Sequence, residues 1–167
     1  MSARPPAVVV MGVSGCGKTE VGGRLAQRLG ARFIDADDLH PPANVEKMRA
    51  GIPLDDADRA PWLRLLNARL REAAAAGEPV VLACSALKQR YRDSLADGVP
   101  GLRFVHLAGN RELIAARLGS RQHRYMPATL LDSQFAALEA PADAIVIDVA
   151  LPLQAAVEAA AQALQAA

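Results

Sequence analysis

The sequence predicts an α/β fold in which a five-stranded parallel sheet is covered by helices on both faces. Five short apolar runs recur along the chain, and helical patterns separate most of them. The runs are almost continuously hydrophobic, as in strands that are buried on both faces. They comprise residues 7–11, 32–34, 79–84, 102–107 and 144–149. We therefore expect three layers, right-handed crossovers and a ligand site at the carboxyl ends of the strands.

The first predicted strand leads directly into a phosphate-binding loop. Its residues Gly12, Val13, Ser14, Gly15, Cys16, Gly17, Lys18 and Thr19 match the pattern G-x-x-x-x-G-K-T, and a helical pattern follows. Glycine lets the backbone approach phosphates with its amides turned inward, and the start of a helix adds the positive end of its dipole. We therefore assign all eight residues to ATP, with Lys18 as a catalytic cation on the β- and γ-phosphates and the Thr19 hydroxyl on Mg²⁺.

A pair of carboxylates follows the second predicted strand. Alternation in an extended segment would place Asp35 and Asp37 on the same side, next to the phosphate loop. In a phosphoryl-transfer site one carboxylate can hold Mg²⁺ while another accepts the proton of the attacking hydroxyl. We expect Asp35 in the metal shell and Asp37 as the catalytic proton acceptor. The alternative is an acidic helix cap, the role that suits Asp38 best.

Two segments interrupt the alternation of strands and helices. Residues 40–76 are polar, with predicted helices over 43–50 and 61–76, and we expect them to bind the substrate. Residues 119–129 have few apolar anchors, which is typical of a small mobile lid over a phosphate site. Arg117 and Arg121 are four residues apart and share a helical face if the preceding helix continues into the lid. There they could neutralise charge on the transferred phosphoryl group; the alternative is a pair of solvated arginines.

The composition is that of a single domain with small-molecule partners. The chain has 167 residues, 51% of them hydrophobic, and a net charge of +1. That balance gives no overall attraction to nucleic acid or to an anionic membrane. The apolar stretches are far shorter than the roughly 20 residues that span a bilayer, and residues 1–6 have no hydrophobic signal region. We therefore expect a cytoplasmic protein, with Cys16 and Cys84 as reduced thiols.

Residues 40–62 carry a more specific pattern. They match H-P-x-x-N-x-x-K-M-x-x-G-x-P-L-x-D-x-D-R-x-P-W at every defined position. Together with the phosphate loop, this segment closely resembles the gluconate kinases, small P-loop enzymes related in fold to shikimate kinase and the nucleoside monophosphate kinases. Residues 84–92 and 133–141 are similar to two further signatures of that family. The resemblance extends from about residue 8 to residue 152.

The resemblance implies phosphorylation of D-gluconate on its terminal hydroxyl by ATP with Mg²⁺, in a homodimer. A polyhydroxy acid requires a cation for its carboxylate, and arginine is the best bidentate clamp. The candidates for the carboxylate are Arg59, Lys88 and Arg92, and those for the hydroxyls are His40, Asn44, Lys47 and Gln134. By analogy with related kinases, the adenine lies between Arg117 and residues 148–152.

Several of these assignments have a structural alternative. Arg59 could pair with an aspartate at the start of the following helix, and Lys88 and Arg92 could lie on a solvated helix face. Trp62 is expected to anchor the core rather than to contact substrate. The chain also departs from the family pattern at Arg124, where a histidine is usual.

Three other functions fit parts of the pattern. A kinase for shikimate or another sugar acid is one, because a carboxylate clamp alone does not select gluconate. A nucleotide-dependent switch is another, although it would need a guanine-reading or partner-binding element and the sequence contains no N-K-x-D string. A nucleic-acid-processing ATPase is disfavoured by the balanced charge and the 4% aromatic content.

Overall fold

Five parallel strands form one sheet. A computed structural model of the chain describes residues 7–119 and 131–166. The strands are β1 (Ala7–Met11), β2 (Arg32–Asp35), β3 (Val80–Ala83), β4 (Arg103–Ala108) and β5 (Ile145–Asp148). They lie in the order β2-β3-β1-β4-β5, and every neighbouring pair is parallel. The predicted sheet is confirmed, and each strand end lies within about one residue of its expected place. The expectation that every strand is buried on both faces holds for β1 and β3 but not for the edge strands β2 and β5, which have a neighbouring strand on one side only, and Val146 of β5 is exposed.

The described residues also form seven α-helices and one 3₁₀ helix. The α-helices are α1 (Lys18–Leu29), α2 (Pro42–Arg49), α3 (Asp56–Ala76), α4 (Gln89–Ala96), α5 (Arg111–Gly119), α6 (Leu131–Ala137) and α7 (Leu153–Ala166), and the 3₁₀ helix is Ala36–Leu39. Left-handed glycines end two of the long helices, Gly30 after α1 and Gly77 after α3.

The helices cover both faces of the sheet, as predicted. Because side chains alternate along a strand, Val8 and Val10 of β1 face one side, while Val9 and Met11 face the other. The first pair belongs to a core shared with α1 and α7, and the second to a core shared with α3 and α4. All four side chains are buried. The three layers are thus held by two hydrophobic cores on either side of the central strand.

Helix α3 begins five residues before the predicted start at Pro61. Asp55 accepts a hydrogen bond from the Asp58 N–H at 2.8 Å, and the Asp58 carboxylate accepts one from the Asp55 N–H at 3.0 Å. This reciprocal capping box satisfies two N–H groups that would otherwise have no partner, so it fixes the helix start. Pro61 is accommodated inside the helix, where it lacks the N–H for one backbone hydrogen bond.

Both cysteines are buried and unpaired, as expected for reduced thiols. Burial raises the pKa of the Cys84 thiol to about 12. In the part of the chain that the structure describes, no helix is both long and apolar enough to cross a membrane.

Candidate active site

The phosphate loop connects the end of β1 to the start of α1. Gly12 (φ +147°) and Gly17 (φ +93°) both adopt left-handed conformations that favour glycine. A Cβ on Gly12 would also lie 2.8 Å from the carbonyl oxygen of Leu107 on the neighbouring strand. Lys18 Nζ donates to the carbonyl oxygen of Val13 at 3.1 Å, which holds the ammonium against the loop. The loop therefore offers backbone amides, a helix N-terminus and a cation in one place.

Asp35 lies beside the threonine of this loop. Thr19 Oγ1 donates to Asp35 Oδ2 at 3.0 Å, and Asp35 Oδ1 accepts the N–H of Asp37 at 3.0 Å. Burial raises the pKa of the Asp35 carboxyl, and the negative charge of Asp37 raises it further. A hydroxyl and a carboxylate are donors that Mg²⁺ prefers, and a cation would offset the cost of keeping Asp35 charged. The donor set therefore fits the predicted magnesium site, although no larger cluster of metal-ligating side chains occurs within residues 7–119 and 131–166.

The prediction that residues 35–37 are extended is wrong. Residues 36–39 form the 3₁₀ helix, and its N-cap is Asp35 rather than Asp38. The cap forms because the Asp35 carboxylate accepts the free N–H of Asp37. Asp37 nevertheless reaches the same cavity as Lys18, so the turn still brings it to the phosphate loop.

A cavity of about 270 Å³ opens next to the phosphate loop, and we call it the acceptor cavity. It brings together five of the predicted substrate-binding residues, namely Asp37, His40, Arg59, Lys88 and Gln134. Lys18 and Ser14 of the phosphate loop also line it, together with residues of α2, α3 and the segment between them. Lys18, Arg59 and Lys88 thus supply three cationic side chains to a space of small-molecule size, which Asp37, Asp55 and Asp56 also line.

Arg59 is held at the cavity by neutral oxygen atoms. Its Nη1 donates to the carbonyl oxygen of Leu54 at 2.6 Å and to the Tyr91 hydroxyl at 3.2 Å. The guanidinium also lies over the Tyr91 ring, 5.3 Å from its centre. The predicted alternative, an ion pair with an aspartate of α3, is not found in the described residues: Asp56 bonds Arg90 and Tyr91, and Asp58 bonds Lys47. Arg59 is therefore oriented without being neutralised, which suits a carboxylate ligand.

His40 forms part of the cavity wall as a neutral ring. It stacks on Trp62 with ring centres 4.0 Å apart and an interplanar angle of 13°. Trp62 is buried in the core, as predicted, but it also lines the acceptor cavity. Its Nε1 donates to the carbonyl oxygen of Ala36 at 2.8 Å. Burial lowers the pKa of His40 to about 4, and the positive charge of Arg59 adds to this effect. His40 therefore faces the cavity uncharged near neutral pH.

Three other predicted substrate-binding residues do not line the acceptor cavity. Asn44 is buried under α3 and bonds His40 and the carbonyl oxygen of Asp58. Lys47 donates to both carboxylate oxygens of Asp58 at 2.9 Å. Their polar groups therefore stabilise the helical segment around the cavity.

Arg92, the third of these residues, is 2% exposed, so the predicted alternative of a solvated helix face is wrong. Its guanidinium donates to the carbonyl oxygens of Ala86 and Glu139, each at 2.7 Å. These bonds tie the loop after β3 to the segment after α6, because Glu139 also donates its N–H to the carbonyl oxygen of Leu87 at 2.8 Å. The geometry thus makes Arg92 a structural cross-link beside the cavity.

A second cavity of about 320 Å³ meets the phosphate loop from the other side. Gly15, Cys16 and Gly17 line it together with Arg117 and residues 149–153. It lies in the region where the analogy with related kinases predicts the adenine. Arg121 and residues 120–129 of the predicted lid lie outside the described residues, so their assignment stays a prediction.

Some lining residues were not assigned from the sequence. Ser85 and Ser133 line the acceptor cavity, and Asp56 joins Arg59 through Tyr91. Ser85 could have been found from its place directly after the third strand. Tyr91 lies three residues after Lys88, one helical turn away, but nothing in the sequence indicated that its hydroxyl would reach α3.

A phosphate loop between two cavities, at the carboxyl edge of a parallel sheet, defines a small P-loop kinase. Residues 8–144 match the family described as AAA domain. The gluconokinase of Gluconobacter oxydans (strain 621H) is 54% identical over 144 residues, which cover 86% of this chain and 80% of that protein. The chain belongs to the gluconokinase family.

Solved structures agree with that assignment. The crystal structure of a gluconokinase from Sinorhizobium meliloti 1021 is 45% identical in sequence with a TM-score of 0.88, over 98% of this chain and 93% of that chain. Shikimate kinase from Aquifex aeolicus has a TM-score of 0.55 at 15% identity, with 96% of each chain covered. The second likeness concerns the fold alone.

Proposed function

We propose that the protein transfers the γ-phosphoryl group of ATP to the terminal hydroxyl of D-gluconate and forms 6-phospho-D-gluconate. One observation carries the proposal: two cavities meet at one phosphate loop. Lys18 and Ser14 line the acceptor cavity, whereas Gly15, Cys16 and Gly17 line the second cavity. A nucleotide in the second cavity would place its terminal phosphates between the two, next to an acceptor molecule.

The nucleotide side uses the loop and its neighbours. The amides of residues 12–19 and Lys18 bind the phosphates, and Arg117 lies at the second cavity for the rest of the nucleotide. Mg²⁺ would be held by Thr19 and Asp35 together with phosphate oxygens, and it supplies charge neutralisation there. Arg117 and Arg121 are proposed to stabilise the charge of the transferred group, by resemblance to related kinases.

The acceptor side matches an open-chain sugar acid. Arg59 and Lys88 supply two cations for the carboxylate, while His40 and Gln134 offer polar groups for the hydroxyls. Asp37 accepts the proton of the terminal hydroxyl as its oxygen forms a bond to the γ-phosphorus. The bond from that phosphorus to the β,γ-bridging oxygen breaks, and ADP leaves.

The test is a coupled assay of ADP release with one acceptor at a time. D-gluconate, its epimers, shikimate and the nucleoside monophosphates are compared at equal concentration, and the Lys18→Met variant serves as the background. We expect turnover with D-gluconate to exceed that with every other acceptor. Preference for shikimate or a monophosphate would reject the substrate assignment, and activity with none of them would favour the nucleotide switch.

Assembly and location are further parts of the proposal. The family resemblance supports a homodimer, and the use of ATP with a free sugar acid supports a cytoplasmic site of action. Light scattering coupled to size-exclusion chromatography tests the homodimer. A molar mass equal to that of a single chain would reject it.

A further inference from the structure

A chain of polar contacts leads from α3 to Asp37, the proposed proton acceptor, through two buried side chains. Asn44 is 4% exposed, and its Nδ2 donates to the carbonyl oxygen of Asp58 at 3.0 Å. The same nitrogen lies 3.2 Å from Nδ1 of His40. The other ring nitrogen, Nε2, lies 3.9 Å from Oδ1 of Asp37.

These contacts determine which nitrogen of His40 carries the proton. The Asn44 nitrogen is fixed by its bond to a carbonyl oxygen, which can only accept, and an amide nitrogen can only donate. Its second hydrogen therefore points to His40 Nδ1, which must accept. In a neutral imidazole the proton then resides on Nε2, on the side of Asp37. The lowered pKa of His40 is consistent with a neutral ring.

The ring has little freedom to turn away from this arrangement. The His40 side chain is 4% exposed and is stacked against Trp62. Trp62 is itself anchored by its hydrogen bond to Ala36. The Nε2–H group is therefore presented to the acceptor cavity in one direction.

The separation between His40 and Asp37 leaves room for one substrate oxygen. At 3.9 Å, Nε2 and Oδ1 are too far apart for a direct hydrogen bond. A hydroxyl oxygen about 2.8 Å from each atom fits between them. Such a hydroxyl would accept a hydrogen bond from His40 and donate one to Asp37. The hydroxyl would thus act as both acceptor and donor.

We propose that Asn44 is a positioning residue that holds His40 in the Nε2–H tautomer, so that the imidazole presents a fixed donor to a hydroxyl of the acceptor beside Asp37. The tautomer follows from the contacts of the free protein alone, whereas the donor role rests on the proposed function. His40 is then a hydroxyl-binding residue that selects for a polyol, and Asn44 acts only through it.

The first experiment measures the tautomer directly. A long-range ¹H–¹⁵N correlation spectrum of the uniformly labelled protein, without substrate at pH 7, distinguishes a protonated from an unprotonated ring nitrogen. The His40→Leu spectrum assigns the His40 signals against those of His106 and His123. We expect Nδ1 unprotonated and Nε2 protonated. Protonation of Nδ1, or rapid exchange between the two forms, would overturn the inference even if the protein phosphorylates gluconate.

The second experiment tests whether Asn44 acts through His40. We expect Asn44→Leu and His40→Leu each to raise the KM for gluconate about tenfold, the effect of one lost hydrogen bond to a buried polar group, with the KM for ATP unchanged. In the double variant the KM for gluconate should rise by about the same factor as in either single variant, rather than by the product of the two factors. His40→Gln, whose amide N–H can replace Nε2–H, should recover most of the affinity. Multiplying effects, or an equal rise in the KM for ATP, would overturn the inference.

Asn67→Leu is the matched control. Asn67 also donates its amide hydrogens to two backbone carbonyl oxygens, those of Leu95 and Asp97, but it does not line the acceptor cavity. Its replacement should leave the KM for gluconate unchanged. If the Asn44 variants do not fold, the spectrum of the unaltered protein still decides between the tautomers.

Discussion

The N–H of Ser14 donates a buried 2.7 Å hydrogen bond to Oε1 of Gln134, 120 residues away in the sequence. Ser14 belongs to the phosphate loop and Gln134 to α6, the first helix after residue 130. Both residues line the acceptor cavity. This bond therefore connects the conformation of the phosphate loop to the wall of the acceptor site.

Replacing Gln134 with leucine should weaken the use of both substrates. The Ser14 N–H would be buried without a partner, at a cost of about 1–3 kcal/mol, and the loop would relax to solvate it. We expect kcat/KM for ATP and for gluconate to fall by about tenfold or more in steady-state assays. Gln27→Leu, on an exposed position of α1, is the control. Unchanged values for both substrates would show that the bond does not set the loop conformation.

Asp37→Asn should lower turnover far more than nucleotide affinity. Asparagine has nearly the same shape but cannot accept the proton of the attacking hydroxyl, so we expect kcat to fall by roughly 10²–10⁴-fold. Binding of a non-hydrolysable ATP analogue, measured by calorimetry, should change by less than about twofold. Asp38→Asn, at the exposed neighbouring position, should retain activity. Near-normal turnover of the Asp37 variant would reject it as the base.

Asp35→Asn should raise the Mg²⁺ concentration that activity requires without lowering the stability of the protein. Burial and the charge of Asp37 make the ionised Asp35 carboxyl unfavourable in the free protein, as its raised pKa indicates. Asparagine keeps one oxygen to accept the Asp37 N–H, and its NH2 group can donate to the Thr19 hydroxyl, so the free energy of unfolding should be unchanged or higher. It removes the charge that would hold Mg²⁺, so more Mg²⁺ should be needed for half-maximal turnover. A magnesium titration of activity measures this, and an unaltered midpoint would contradict the metal assignment.

The fold could be predicted from the sequence because its signals are local. The apolar runs, the glycine pattern and the polar residues at the strand ends can each be recognised within a short stretch of sequence. The start of α3 also had a local signal, the pair Asp55 and Asp58, which was outweighed by the proline at position 61.

The site was only partly predictable because the orientation of several side chains depends on tertiary contacts. Nothing near Arg92 in the sequence indicates that it bonds carbonyl oxygens of two separate loops. Asn44 similarly has its partners on another helix and on His40. Side-chain type and position at a strand end indicate which residues are near the site, but hydrogen-bond geometry decides which of them face it.

The free energy of unfolding should decrease as the pH is lowered, because His40 resists protonation in the folded protein. The pKa of His40 in the folded protein is about 4, below its ordinary value of 6.5. As the pH falls through 6.5 the unfolded chain binds a proton first, so the free energy of unfolding decreases between pH 6.5 and 4 and is unaffected by His40 above this window. We expect a loss of about 3 kcal/mol, since a shift of one pKa unit corresponds to about 1.4 kcal/mol.

Urea unfolding at several pH values measures this effect, with His40→Gln as the control. The variant lacks the titrating ring but keeps His106, so the difference between the two proteins isolates His40. As the pH falls from 6.5 to 4, the free energy of unfolding of the unaltered protein should decrease relative to that of the variant. A constant difference across that range would show that His40 titrates normally in the folded protein.

The central claim, that an open-chain sugar acid binds beside the phosphate loop, is tested most directly by a crystal structure with a non-hydrolysable ATP analogue, Mg²⁺ and D-gluconate. We expect the γ-phosphate at Lys18, the gluconate carboxylate between Arg59 and Lys88, and the terminal hydroxyl within hydrogen-bond distance of Asp37. Gluconate bound outside the acceptor cavity, or with its carboxylate rather than its terminal hydroxyl toward the phosphate, would contradict the account.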